Sequence, residues 1–184
     1  MAASLGMLSC GGGSTGSQTT RPAELTGAQW RILRLMTMGM SDVALSSATG
    51  ATVKTVRRHV TAVLLVLGAR TRFAGGVEAA RRGWLRAEHL AAGGADDGSL
   101  TPFDRRVLAL LAAGHRDAYV ATLTGTCVRT VRRRITAIVA HFGVTSRFAA
   151  GVEAYRRGLV PAALAHPGRA SDGSPVRRSR SPAA

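Results

Sequence analysis

The sequence predicts an all-α protein built as two four-helix domains in tandem, and three observations carry that prediction. The chain of 184 residues repeats itself, because residues 25–85 lie on residues 100–160 at a constant offset of 75 with no gap. Leu25-Thr26 falls on Leu100-Thr101, Thr55-Val56-Arg57-Arg58 on Thr130-Val131-Arg132-Arg133, and Arg72-Phe73-Ala74 on Arg147-Phe148-Ala149. A match of that length means two copies of one small domain, not a solenoid of three or more short units. Apolar residues recur at helical spacing and nowhere alternate as in a strand. Capping residues and glycines punctuate each copy at matching places.

In each copy Thr26 (Thr101) is a good N-cap, and Ile32, Leu33 and Met36 (Val107, Leu108, Leu111) follow at helical spacing. Gly39 (Gly114) closes that first helix. A short second helix starts at Ser41 or Asp42, with Leu45 and Ala48 (Val120, Leu123) as its buried side. Asp42 and Asp117 stand where a carboxylate satisfies free N–H groups and suits the helix dipole. Gly50 (Gly125) supplies a turn, and Thr52 caps a third helix that reaches Leu67 and stops at Gly68. Thr71 (Ser146) caps a fourth, with Phe73, Val77 and Ala80 as its stripe and Gly83 as its end. Gly75-Gly76 (Ala150-Gly151) lie inside this helix, at about 1 kcal/mol per glycine relative to alanine. They suit either a very close helix approach or a frayed helix.

Residues 1–24 and 161–184, rich in Gly, Ser, Pro and Arg, are expected to be disordered tails, the second one basic. Residues 86–99, with Gly93-Gly94 and Asp96-Asp97-Gly98, are expected to form an acidic flexible linker. Copies of about sixty residues are near the lower limit for folding alone, so the two are expected to lean on each other.

The formal net charge is +15, and Lys54 is the only lysine. A balance that basic argues for an anionic partner. Nine basic residues against two acidic ones fall in the first copy and ten against three in the second. Arginine offers phosphates and guanine edges a planar fork where lysine offers a point charge. Cys10 and Cys127 are too few for a disulfide framework or a zinc spacing. Apolar runs such as Ala62–Leu67 are far short of the ~20 residues of a membrane span. The expectation is therefore a cytoplasmic, nucleoid-associated protein with no membrane partner.

Rotation at 100° per residue puts Val53, Val56, Val60, Val63, Leu64 and Leu67 on one side of the third helix. Lys54, Arg57, Arg58 and Thr61 share the adjoining side with no acidic residue of that helix among them. The second copy repeats both, with Val128, Val131, Ile135, Ile138, Val139 and Phe142 buried and Arg129, Arg132, Arg133 and Thr136 projecting. A short helix, a glycine turn and a helix with a basic face describe a helix-turn-helix, whose second helix enters the major groove of double-stranded DNA.

On these residues each copy resembles the LuxR/GerE-type helix-turn-helix domain of bacterial transcription regulators. In the first copy the resemblance rests on Leu25-Thr26, Leu33, Gly39, Thr55-Val56-Arg57, His59, Val63, Leu67-Gly68, Arg72 and Gly83-Trp84. In the second it rests on Leu100-Thr101, Leu108, Gly114, Thr130-Val131-Arg132, Ile138, Gly143-Val144, Arg147 and Gly158-Leu159. The resemblance implies a sequence-specific DNA-binding regulator. Arg57, Arg58, Thr61, Arg132, Arg133 and Thr136 would face bases, with His59, Thr52, Thr55 and Thr130 near phosphates. Lys54, Arg129 and Arg134 complete the expected DNA-binding set. The fourth helix is the family's usual dimerisation surface, which raises a homodimer through the fourth helices. The family's usual glutamate in the second helix is Ala44 or Tyr119 here, and its histidine His59 becomes Arg134 in the second copy.

Two other readings suit the same sequence. One is a module that binds RNA polymerase or another transcription regulator through its fourth helices, and the other a sequence-indifferent coat on DNA. Catalysis is not expected, because the histidines are scattered, no serine or cysteine has a base and an orienter, and no metal or cofactor set is spaced for binding. Cys127 replaces the capping Thr52 at a helix N-terminus, a setting that lowers a thiol pKa.

Overall fold

The computed structural model describes residues 25–85 and 100–160. The tails expected at 1–24 and 161–184 and the linker expected at 86–99 lie outside the described residues. All regular structure in the described residues is α-helical, as the periodicity predicts. The helices are α1 (Gly27–Thr37), α2 (Asp42–Thr49), α3 (Val53–Val66), α4 (Arg72–Arg81), α5 (Pro102–Ala112), α6 (Asp117–Thr124), α7 (Val128–His141) and α8 (Arg147–Arg156). No helix among them is long and apolar enough to cross a membrane.

Local chemistry sets the helix starts. The Thr26 hydroxyl accepts from the Gln29 N–H while the Gln29 side chain accepts from the Thr26 N–H, a reciprocal capping box. Thr101 and Asp104 repeat it at α5, where Pro102 adds a preset φ. Ser41, not Asp42, caps α2 by accepting from the Ala44 N–H. Its counterpart Arg116 makes no side-chain cap, and Cys127 makes none where Thr52 accepts from the Thr55 N–H. A lost cap of this kind costs about 0.5–2 kcal/mol, so α6 and α7 depend more on packing than α2 and α3 do. Gly50 and Gly125, at φ of +69° and +66°, end α2 and α6 in the left-handed conformation and turn the chain into α3 and α7.

Ile32, Leu33 and Met36 of α1, Leu45 of α2 and Val56, Val60, Val63 and Leu67 around α3 form one core. Their counterparts Val107, Leu108, Leu111, Val120, Val131, Ile135, Ile138 and Phe142 form the other. The α2 stripe is narrower than predicted, because Ala48 is half-buried and Leu123 is exposed. At eight residues, each short helix has only one turn facing the core.

The fourth helices cross over. Phe73 and Val77 of α4 are buried in the core of the second half, while Phe148 and Val152 of α8 are buried in the core of the first. Seven consecutive residues of each, 73–79 and 148–154, are buried, so each helix is surrounded rather than amphipathic. Close approach explains the internal glycines. A Cβ on Gly76 would sit inside the contact distance of the Phe148 carbonyl and 3.0 Å from the Val152 nitrogen. A Cβ on Gly151 would meet the Phe73 carbonyl in the same way and lie 3.1 Å from the Val77 nitrogen. Gly75 leaves room for the Leu64 side chain. Of the two expectations for these glycines, close helix approach is the one observed.

These contacts are reciprocal at the offset of 75. Gly76 meets Phe148 as Gly151 meets Phe73, and Gly39 faces Thr145 as Gly114 faces Arg70. Residue i touching j while j's counterpart touches i's is the mark of a two-fold interface. The two halves are therefore related by a pseudo-two-fold axis through α4 and α8.

Candidate nucleic-acid interface

The basic side of α3 is open. Lys54, Arg57, Arg58 and Thr61 are exposed, as are Arg129, Arg132, Arg133 and Thr136 on α7. The two sets occupy matching positions, so the pseudo-two-fold axis relates them. Among the described residues no acidic side chain pairs with Lys54, Arg58, Arg129 or Arg133.

Arg57 and Arg132 differ from their neighbours. The Arg57 Nε–H donates to Asp42 Oδ2 at 3.2 Å, and Arg132 Nε lies 3.4 Å from Asp117 Oδ2. Both arginine side chains remain 69% exposed, while the carboxylates are mostly covered. Each carboxylate is shared with the start of the fourth helix. Arg72 Nη2 donates to Asp42 Oδ1, and Arg147 donates through Nη1 and Nη2 to both oxygens of Asp117 at 2.6 and 2.8 Å. Burial raises the Asp42 pKa, but hydrogen bonds and charge from Arg72 and Arg57 outweigh it and hold it below the ordinary value. Hydrogen bonding by Arg147 does the same for Asp117 against its burial. The carboxylates thus serve arginines, not the helix N–H groups for which their position suited them. The basic face is acid-free along its own helix, and the acid reaches it from the neighbouring one.

The threonines have local partners. Thr61 and Thr136 donate their hydroxyl protons to the carbonyls of Arg57 and Arg132 at 3.0 and 3.1 Å, which leaves outward lone pairs as acceptors. The Thr52 and Thr55 hydroxyls lie 3.1 Å apart at the N-terminus of α3, and Thr130 pairs with the Cys127 thiol at 3.2 Å. Cys127 is exposed and free, and the Thr130 hydroxyl is the largest cause holding its thiol pKa below the ordinary value.

His59 and Arg134 point elsewhere. Arg134 Nε donates to Asp104 Oδ1 at 2.8 Å, and its Nη2 bonds Asp104 Oδ2 and reaches Thr101 Oγ1 at 3.4 Å. It is a brace across α5 and α7, turned away from the face shared by Arg132 and Arg133. Its partner Asp104 is buried, which raises the carboxyl pKa, but hydrogen bonds from Arg134 and Thr101 together outweigh burial and hold it below its ordinary value. In the first half the same two positions hold Gln29 and His59, and His59 lines an open cavity of about 330 Å³ with Gly27, Ala28, Arg31 and Thr49. The brace between α5 and α7 in the second half thus has no hydrogen-bonded equivalent between Gln29 and His59 in the first, where Gln29 caps α1.

Two features of the candidate site lie outside the DNA-binding residues that the sequence singles out. The carboxylates of Asp42 and Asp117 belong to the site, although nothing in the spacing of α2 against α3 says so. Leu65, at 79% exposure, continues the stripe of Lys54, Arg57, Arg58 and Thr61 by one more turn, where the second half has Ala140. Large exposure of an aliphatic residue at i+4 from a polar face was readable from the helical wheel. Among the described residues no group of three or more His, Cys, Asp or Glu could hold a metal ion. Comparison with models of known protein families, with curated proteins and with solved structures finds no match for this chain.

Proposed function

We propose that this chain is a sequence-specific DNA-binding transcription regulator made of two LuxR/GerE-like helix-turn-helix domains. In this reading α3 and α7 enter two major-groove segments and read two half-sites in inverted order. The observation that carries it is the pairing of two identical donor sets, Arg-Arg-x-x-Thr, by a pseudo-two-fold axis. DNA half-sites related by a dyad are read by protein surfaces related by a dyad, about one helical turn or 10–10.5 bp apart. The Arg57, Arg58, Arg132 and Arg133 forks suit guanine O6 and N7. Thr61 and Thr136, with their protons committed to the helix, suit base amino groups. Lys54 and Arg129 suit phosphates, where Coulomb attraction needs no fixed fork. Arg134 acts as a structural brace.

The reading through fourth helices, as a homodimer or as a docking module, is disfavoured because both helices are covered within the chain. A sequence-indifferent coat needs charge alone and has no use for a matched pair of reading faces. Selection of bound duplexes from a random pool is the test. The regulator reading expects an inverted pair of guanine-containing half-sites. Direct repeats, single half-sites or no common motif would count against it.

A further inference from the structure

Resting on that reading, we propose that Asp42 and Asp117 are positioning residues that set base preference by aiming Arg57 and Arg132. The carboxylate holds each arginine by Nε, the one nitrogen at the back of the guanidinium. That leaves both terminal NH2 groups, the prongs that make a bidentate contact with guanine, free and exposed. An exposed ion pair of this kind adds little to stability. Restricting a flexible arginine beforehand, in contrast, lowers the entropy lost when its fork seats on a base. The carboxylate is itself fixed, because Arg72 or Arg147 grips it from the first residue of the helix that binds the two halves together. One acid therefore ties the reading arginine to the interface that sets the spacing of the halves. The arrangement recurs in both halves, although only five acidic residues lie in residues 25–85 and 100–160.

Asp42→Asn combined with Asp117→Asn, in the full chain, removes the two charges and keeps the size. Two affinities are measured: for the selected duplex, and for the same duplex with the arginine-read guanine replaced in each half-site. The ratio between them should fall about tenfold, while binding to random-sequence DNA tightens because two negative charges are gone. Arg57→Lys with Arg132→Lys should lose the same preference, and adding it to the asparagine pair should change little more. Arg72→Met with Arg147→Met probes the brace alone and should lower the melting temperature more than the ratio. An unchanged ratio in the asparagine pair would overturn the proposal and leave the DNA reading standing. A wild-type chain that selects no sequence would overturn both.

Discussion

At the N-terminal half of α3, Arg57 gives its Nε–H to Asp42, while Arg58, one residue on, has no acidic partner among the described residues. Two residues beyond Arg132 on α7, Arg134 is held through Nε and Nη2 by Asp104 and Thr101. Three arginines of similar sequence context thus have three environments, and their substitutions should separate. Arg58→Ala and Arg133→Ala should each cost roughly 1–3 kcal/mol of DNA affinity and relax preference at one base position. Melting should move little, because both side chains lie off the core. Arg134→Ala should do the reverse. It leaves the buried Asp104 carboxylate with only the Thr101 bonds, a loss of roughly 1–3 kcal/mol in stability, and base preference should stay as it was. Binding titrations and thermal melts of the three variants decide it, and a relaxed base preference in the Arg134 variant would return that residue to the reading face.

The helices themselves were legible, because a 3.6-residue period and a few caps carry that information without any tertiary packing. The α3 stripe of Val56, Val60, Val63 and Leu67 is buried as its spacing predicts. The α4 stripe shows where such reasoning ends. Phe73 and Val77 are buried as expected, yet in the other half's core, since periodicity identifies an apolar face and says nothing of what covers it. The same holds for the site: the basic stripe was readable, whereas the Asp42 and Asp104 bonds join residues 15 and 30 positions apart across different helices. Gly76 and Gly151 give the element-level prediction. Glycine to alanine inside a helix ordinarily gains about 1 kcal/mol. At Gly76 and Gly151 the sign should reverse, because the new methyl would be driven into a backbone carbonyl that no side-chain rotation can move. Overpacking of that kind costs typically about 1–3 kcal/mol. Gly27→Ala, where nothing lies within 4 Å, is the control and should not destabilise. Equal melting temperatures for all three variants would mean that α4 and α8 do not pack this closely.

At the scale of the molecule, the exchange of Phe73 and Val77 for Phe148 and Val152 makes each half incomplete without the other. Burying such side chains contributes roughly 1.5–3 kcal/mol apiece, against total stabilities of about 5–15 kcal/mol for whole proteins. Residues 25–85 expressed alone should therefore be unfolded, or should pair with a second copy through α4. Circular dichroism against concentration distinguishes those outcomes from a stable monomer, which the shared cores forbid. On the proposed reading, the same rigidity limits which DNA sites the intact chain would accept. If the halves were beads on a string, the spacing between half-sites could vary with only a modest penalty, since the second engagement would depend on tether length. Packed through α4 and α8, they instead offer α3 and α7 at one separation and one inverted orientation. Inserting about five base pairs into the selected duplex turns the second half-site to the opposite face, so affinity should fall to that of a single half-site. Inverting one half-site to make a direct repeat should do the same. Salt should separate the two contributions: both altered duplexes should show a shallower log–log slope than the parent, by about 0.9 for each phosphate that the protein no longer neutralises. Tight binding that survives either alteration would mean that α4 and α8 part on DNA, and that the pseudo-two-fold axis does not set the site.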